Sequence, residues 1–161
     1  MTLQARGLAA FDFDNTITES TSEPRYCGDE IVFNMGSASR VFALRKLFVD
    51  LRKSGVILIV VSLNFRETIE NVLAQYGLIE FFSRIYDRTN IWAQDIATKQ
   101  ILMETIITRN HFSPTLCVLV DDHRDNLVDA PCNVVEIRGP GGITMKHDNK
   151  IRRIFNIPIT N

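Results

Sequence analysis

The sequence changes abruptly from apolar to acidic in the stretch Leu8-Ala9-Ala10-Phe11-Asp12-Phe13-Asp14-Asn15-Thr16. The run from Leu8 to Phe13 predicts a short buried strand, which the chain leaves through two carboxylates. Two further apolar runs end similarly: residues 56–61 are followed by Ser62-Leu63-Asn64, and residues 116–120 by Asp121-Asp122. Polar side chains at the end of a buried strand lower stability unless they are paired or bind a ligand. Three such strand ends indicate a site.

The segments between these runs have the periodicity of helices, and Asn64 with Glu67 resembles a capping box at the start of one of them. The predicted strands are Leu8–Phe13, Val56–Val61, Arg84–Tyr86, Leu116–Val120 and Val134–Ile137. The predicted helices begin near Val41, Asn64, Ile96 and Lys146. Strands that alternate with helices of about 10–15 residues form βαβ units. We therefore expect an α/β fold with a doubly wound, mainly parallel sheet.

Composition places the chain among ordinary globular proteins. Its 161 residues carry a net charge of -1, and 45% of them are hydrophobic. This balance excludes general disorder and disfavours nucleic acid as an obligate partner. The longest apolar run, residues 56–61, is far shorter than the roughly 20 residues of a membrane span. We expect no membrane span, no signal peptide and one domain over residues 1–161.

Cysteine usage favours a reducing compartment. Cys27, Cys117 and Cys132 are too few and too scattered for a disulfide framework, and the histidines lack the spacing of zinc ligands. A cytoplasmic location is the expectation that follows.

The polar strand ends are expected to meet. Right-handed crossovers bring the carboxyl ends of parallel strands to one edge, where ligands bind in such sheets. Carboxylates that meet there repel one another, so a bound cation is expected, and an all-oxygen ligand set favours Mg²⁺. Lys99 would add a second positive charge. Backbone N–H groups at the helix N-termini after Asp14 and Ser62 would then help to bind a phosphate dianion.

Four stretches of the sequence together resemble the four motifs of the haloacid dehalogenase-like superfamily. They are residues 11–16, Ser62, Lys99 and the pair Asp121-Asp122. Lys99 lies 22 residues before Asp121, at the place of the third motif, and all four motifs occur in the family's order. The resemblance implies a Rossmann-like core and phosphatase chemistry. Relatives that cleave carbon–halogen bonds lack an acid two residues after the nucleophile, whereas this chain has Asp14.

The resemblance also implies roles for individual residues. Asp12 would be the nucleophile that forms an aspartyl-phosphate, and Asp14 would be the general acid and then the general base. Ser62 would bind a phosphoryl oxygen, and Lys99 would offset negative charge. Mg²⁺ would be held by Asp12, the main-chain carbonyl of Asp14, Asp121 and Asp122, the last directly or through water. Further candidate phosphate-binding residues are Phe13, Leu63 and Asn64.

The spacing of the motifs indicates which subtype of this superfamily the chain resembles. Asp12 and Ser62 are 50 residues apart, which leaves room for a short flap at about residues 17–39 but not for a large cap domain. The chain thus resembles the small capless members, such as the magnesium-dependent phosphatases, in which the flap, here including Tyr26–Phe33, bears on specificity. The expected substrate is a phosphorylated protein or another openly accessible phosphate ester; the oligomeric state is left open.

Alternative interpretations remain. Asp12 and Asp14 are also typical turn residues, Ser62 is also a typical helix cap, and Asp125 and Asn126 either cap a helix or support the metal ligands. The chain could instead be a catalytically weak relative that binds a phosphorylated partner. A phosphorylatable receiver domain is disfavoured, because in receiver domains the acidic pair comes first in the chain, whereas here the pair Asp121-Asp122 comes last. A basic run near the C-terminus is expected to be a solvated helix face; its members are Lys146, His147, Lys150, Arg152 and Arg153.

Overall fold

A five-stranded parallel sheet forms the centre of the computed structural model, which describes residues 6–20, 35–92 and 98–159. Its strands lie in the order β3-β2-β1-β4-β5, so the first strand is central. All four pairings are parallel, and Phe11 of β1 is in register with Val60 of β2 and Val120 of β4. The strands are β1 (Gly7–Phe11), β2 (Val56–Val61), β3 (Arg84–Tyr86), β4 (Cys117–Asp121) and β5 (Asn133–Glu136).

Helices connect the strands and cover both faces of the sheet. They are α1 (Ala38–Lys53), α2 (Arg66–Gln75), α3 (Arg88–Trp92), α4 (Lys99–Arg109), α5 (Arg124–Leu127) and α6 (Met145–Ile154). Within the described ranges no large cap domain interrupts this alternation. None of the helices described is long and apolar enough to cross a membrane. The predicted doubly wound α/β fold is confirmed, and the short helices α3 and α5 are additions to it.

Side chains of β1 point alternately into two halves of the core, one on each face of the sheet. Ala9 and Phe11 face the half that contains α1, α2 and α6, whereas Leu8 and Ala10 face the half that contains α4. Successive strand side chains point to opposite faces, so a strand buried on both sides must be apolar at every position. The apolar runs of the sequence reflect this burial.

The segment after β1 differs from its prediction at both ends. The strand stops at Phe11, two residues earlier than predicted, and a wide turn follows over Phe13–Ile17. The flap was expected to reach residue 39, but α1 already begins at Ala38, because the Ser37 side chain accepts a hydrogen bond from the Arg40 N–H. The rest of the predicted flap, residues 21–34 with Tyr26–Phe33, lies outside the described residues.

The predicted capping box of α2 is wrong. Phe65, not Asn64, is the N-cap residue, and its side chain makes no capping hydrogen bond. The first N–H of the helix, that of Arg66, instead donates to the Asp87 carboxylate at 3.3 Å. Asp87 follows β3, so a neighbouring strand end supplies the cap and the Asn64 side chain is used elsewhere.

The basic C-terminal run is not simply a solvated face. Arg152 is only 1% exposed and binds the carboxylates of Asp50 and Asp148. His147 is buried as well, and its Nδ1 accepts a hydrogen bond from the Thr144 N–H in a capping box. The expectation is wrong for these two residues because this side of α6 packs against α1.

Candidate active site

The central strands bring the predicted residues to one edge of the sheet. β1 pairs with both β2 and β4, so Asp12, Ser62 and Asp121 stand at the carboxyl ends of three adjacent strands. The Asp12 N–H donates to the Val120 carbonyl at 2.8 Å, which extends the ladder by one residue and fixes the start of the turn. Asn15 adopts a φ of 55° in that turn, a left-handed conformation that asparagine tolerates better than most residues.

Lys99 joins two of these strand ends. It is the first residue of α4, and its Nζ lies 2.8 Å from Asp12 Oδ1 and 2.6 Å from Asp121 Oδ2. Its side chain is only 3% exposed. Burial opposes its positive charge, yet Asp12 and Asp121 outweigh burial and raise the pKa of Lys99. The lysine therefore remains charged, and it holds α4 against the edge of the sheet.

Asp121 is held by a further set of donors. The His123 N–H donates to its Oδ1 at 2.8 Å, and the Asn126 amide nitrogen lies 3.1 Å from both of its oxygens. Of the two roles left open for Asn126 by the sequence, the structure favours support of a candidate metal ligand. With Lys99 also bound, the Asp121 carboxylate has a fixed orientation.

The carboxylates form a group that suits a divalent cation. One oxygen each of Asp12, Asp121 and Asp122 lies within 4.8 Å of the other two. Burial, together with the charge of Asp121, raises the pKa of Asp12 to about 8 despite the opposing effect of Lys99. A cluster of hard oxygen donors whose negative charge is under-compensated fits Mg²⁺, which lowers the cost of keeping all three ionised.

Asp14 is held from the end of β2. Its Oδ2 accepts a hydrogen bond from Asn64 Nδ2 at 3.0 Å, although the two residues are 50 positions apart. Asn64 in turn donates its backbone N–H to Ser62 Oγ at 3.1 Å and accepts from the Phe65 N–H at 2.7 Å. Asn64 thus connects the candidate acid to the candidate phosphate-binding serine, a role that its position in the sequence did not reveal.

A cleft of about 250 Å³ opens over this group. Most of the predicted site residues line it, whereas Asn64 and Asp121 are buried and contact lining residues instead. The Phe13 ring is fully buried in the core, so only the backbone of this residue can face a phosphate. The lining residues are Asp12, Asp14, Ser62, Leu63, Lys99, Asp122, His123 and Asn126.

Comparisons with known proteins identify the fold. No protein-family model and no curated protein matches the sequence. Among solved structures, the chain is similar to the HAD domain of the effector protein Lem4 from Legionella pneumophila, with a TM-score of 0.61, 14% identity and 94% of each chain covered. It is also similar to a HAD-superfamily hydrolase of subfamily IA from Geobacter sulfurreducens, with a TM-score of 0.56 and 15% identity over 93% of this chain and 100% of that one.

A third similar structure is described as a predicted phosphoglycolate phosphatase from Haemophilus somnus. The TM-score is 0.57 at 13% identity, and the match covers 99% of this chain and 91% of that chain. The chain therefore has the fold of the haloacid dehalogenase-like hydrolases, as its motifs predict. Function has to be argued from the site itself.

Proposed function

We propose that the protein is a Mg²⁺-dependent phosphomonoester hydrolase that forms an aspartyl-phosphate on Asp12. The observation that carries the proposal is the buried Lys99 bridge between Asp12 and Asp121, with Asp122 beside it and Asp14 held across the same cleft. A bridge that served stability alone has no need of the additional acids. The HAD-type fold supports a phosphatase-type reaction at this edge of the sheet.

In this proposal the cleft binds the phosphoryl group through positive charge and hydrogen-bond donors. Asp12, Asp121 and Asp122 would hold Mg²⁺, together with the main-chain carbonyl of Asp14. When bound, the metal would supply positive charge that offsets the charge of the transferring phosphoryl group. Ser62 donates its hydroxyl proton to a phosphoryl oxygen, since its Oγ already accepts the Asn64 N–H.

The reaction proceeds in two displacements. The Asp12 carboxylate attacks phosphorus, and the bond from phosphorus to the ester oxygen breaks while Asp14 gives that oxygen a proton. The ionised Asp14 then takes a proton from water, which attacks the phosphorus of the aspartyl-phosphate. Inorganic phosphate leaves, and both carboxyl groups return to their initial states. Lys99 holds Asp12 in place and offsets its charge throughout.

The proposed substrate is a phosphorylated protein or a small phosphate ester. Within the described residues no cap domain interrupts the fold, which supports an openly accessible phosphate ester as the substrate. The alternative, a relative that only binds a phosphorylated partner, gains no specific support, because binding does not require an acid held at the position of Asp14.

Turnover of p-nitrophenyl phosphate and of a phosphoserine peptide tests the proposal directly. We expect Mg²⁺-dependent release of phosphate, loss of activity in EDTA, and loss of activity in Asp12→Asn. Asp125→Asn is the matched control, because the Asp125 side chain is 88% exposed and takes no part in the cluster. Full activity in EDTA contradicts the metal's role. Tight binding of beryllium fluoride with no turnover of any ester supports the binding alternative.

A further inference from the structure

A second cleft lies between strand β3 and helix α4, away from the carboxylate cluster. Its volume is about 340 Å³, larger than the cleft over Asp12 and within the usual range for small-molecule sites. None of its lining residues belongs to the candidate active site. They are Arg84, Tyr86, Asn90, Leu102, Thr105, Ile106, Arg109 and Asn110.

The spacing of these residues explains why they meet. Arg84 and Tyr86 are two residues apart on β3, so their side chains lie on the same face of the strand. On α4 the residues are 102, 105, 106 and 109, which form a single face of a helix. β3 is an edge strand of only three residues, and the space beside it is left as a cleft.

The charge in this cleft is entirely positive. Arg84 and Arg109 both line it, and among the described residues none of the lining side chains is acidic. Neither guanidinium takes part in an ion pair within the described part of the chain. By contrast, Arg66 of α2 is paired with Glu70. Two unpaired cations facing one cavity in a chain of net charge -1 attract a ligand with two negative charges.

The lining of the cleft also has an apolar part. It includes Leu102 and Ile106, both of which belong mostly to the core. Tyr86 is half-buried, and the Arg84 guanidinium lies 5.2 Å from the centre of its ring. A cleft whose lining combines two guanidinium groups with an aromatic ring and two aliphatic side chains suits a ligand with a ring at one end and an anion at the other. A lone carboxylate matches only one of the two guanidinium groups, whereas a phosphate dianion matches both.

We propose that this cleft is a second ligand site, which binds an organic phosphate dianion that carries an apolar ring. Arg84 and Arg109 donate hydrogen bonds to the phosphate oxygens, and the ring packs on Leu102 and Ile106. The site is separate from the carboxylate cluster. The proposal therefore stands or fails independently of the phosphatase activity.

Phenylphosphonate is a suitable probe, because its phosphorus–carbon bond is not a phosphate ester and resists hydrolysis. Isothermal titration in EDTA, in which the carboxylate cluster holds no metal and repels anions, is expected to give one bound molecule per chain. Arg84→Gln and Arg109→Gln should each raise the Kd by about tenfold or more, since each removes one charge-assisted pair. Arg153→Gln is the matched control, because Arg153 is exposed on α6.

Three comparison ligands test the chemical class. Benzoate, inorganic phosphate and benzyl alcohol each lack one feature of the probe and should each bind at least about tenfold more weakly. Backbone amide shifts on binding should centre on Tyr86 and Thr105 rather than on Asp12. Affinity that is unchanged in both arginine variants overturns the proposal, as does an absence of binding at millimolar phenylphosphonate. Equal affinity for inorganic phosphate overturns the assigned role of the ring.

Discussion

Two buried clusters of this protein have the same plan, a single cation between two aspartates. At the sheet edge, Lys99 bridges Asp12 and Asp121. Between α1 and α6, Arg152 bridges Asp50 and Asp148. Both cations are almost completely buried, with 3% and 1% of their surface exposed. Each cluster joins segments that are far apart in the sequence.

The clusters differ in their charge balance. Lys46 lies 3.4 Å from Asp50, so the second cluster contains two cations and two carboxylates. Burial acts against the charge of Asp50, yet hydrogen bonds from Arg152 and Lys46 lower its pKa, whereas burial raises the pKa of Asp148 despite Arg152. At the sheet edge, Lys99 binds two carboxylates and that of Asp122 lies close to both, while burial raises the pKa of Asp12 to about 8.

This difference separates a structural cluster from a candidate functional one. The cluster between α1 and α6 has as many cations as carboxylates, so although Lys46 and Asp148 also line a cleft, no surplus charge is left there for a ligand to balance. The acidic cluster lies beside a cleft and retains negative charge that its lysine does not balance. Buried charge is costly unless it is paired, so surplus charge beside a cleft indicates a bound cation.

Asp12→Asn gives the largest expected effect on activity. Loss of the nucleophile should lower turnover of p-nitrophenyl phosphate by about 10⁴- to 10⁶-fold, the range for loss of a central catalytic group. Asp50→Asn, the equivalent change in the other cluster, should leave turnover per folded molecule within about twofold, because Asp50 lies outside the cleft. Similar losses in the two variants contradict the functional separation of the clusters.

Arg152→Leu gives the largest expected effect on stability. Removal of one partner from a buried ion pair leaves Asp148 uncompensated, which typically costs about 3–5 kcal/mol. Urea unfolding should show this loss, with activity per folded molecule unchanged. Arg153→Leu is the control, since Arg153 is the exposed neighbour in the same helix. A loss below about 1 kcal/mol for Arg152→Leu means that the cluster is not a stabilising feature.

The sheet and the acids at its edge could be predicted because they depend on local patterns. An apolar run followed by a carboxylate indicates both a buried strand and its end, and parallel topology then brings such ends together. The contacts of Asn64 and Arg152 could not be found in this way. Asn64 binds Asp14 across 50 residues, and Arg152 binds Asp50 across 102. A contact between residues so far apart leaves no local pattern in the sequence. From the sequence alone, Asn64 therefore resembles a helix cap and Arg152 a charged surface residue.

Asn64→Ala tests the long-range contact at the site, with a smaller expected effect than loss of Asp12. Without the Asn64 amide, the Asp14 carboxylate loses the 3.0 Å hydrogen bond that holds it toward the end of β2. Protonation of the leaving group should suffer, so kcat for a phosphoserine peptide should fall about 10- to 100-fold, part of the usual contribution of a general acid. An aryl phosphate has a good leaving group, so kcat for this substrate should fall much less.

The ratio of turnover of the two substrates distinguishes loss of Asp14 positioning from a general disruption of the site. Asn133→Ala is the control, because the Asn133 side chain donates to the carbonyls of Thr115 and Cys117, at the opposite end of β4 from the cleft. We expect this control to leave the ratio of alkyl to aryl turnover unchanged. Equal losses on both substrates in Asn64→Ala mean that the asparagine supports the loop rather than the acid.

The smallest expected effect is a pH dependence of stability in EDTA. The folded protein keeps the Asp12 proton up to a pKa of about 8, whereas the unfolded chain releases it near 3.8. Between these values the unfolded state binds fewer protons, so this group lowers stability as pH rises, by less than about 1.4 kcal/mol per pH unit. Asp12→Asn removes the group, so its stability relative to the unchanged protein should increase from pH 5 to pH 8 and then level off.

Asp50→Asn should behave in the opposite way, which makes the pair of variants a test of the comparison itself. Because the folded-state pKa of Asp50 is lowered, its stabilising contribution is present above the unfolded value of 3.8 and is lost as pH falls through the folded value. Asp50→Asn should therefore cost a constant amount from pH 5 to pH 8, and less in stronger acid. Urea unfolding of the two variants and the unchanged protein across this range measures both slopes. A flat difference for Asp12→Asn from pH 5 to pH 8 shows that Lys99 alone balances the acids, and removes the electrostatic argument for a bound cation.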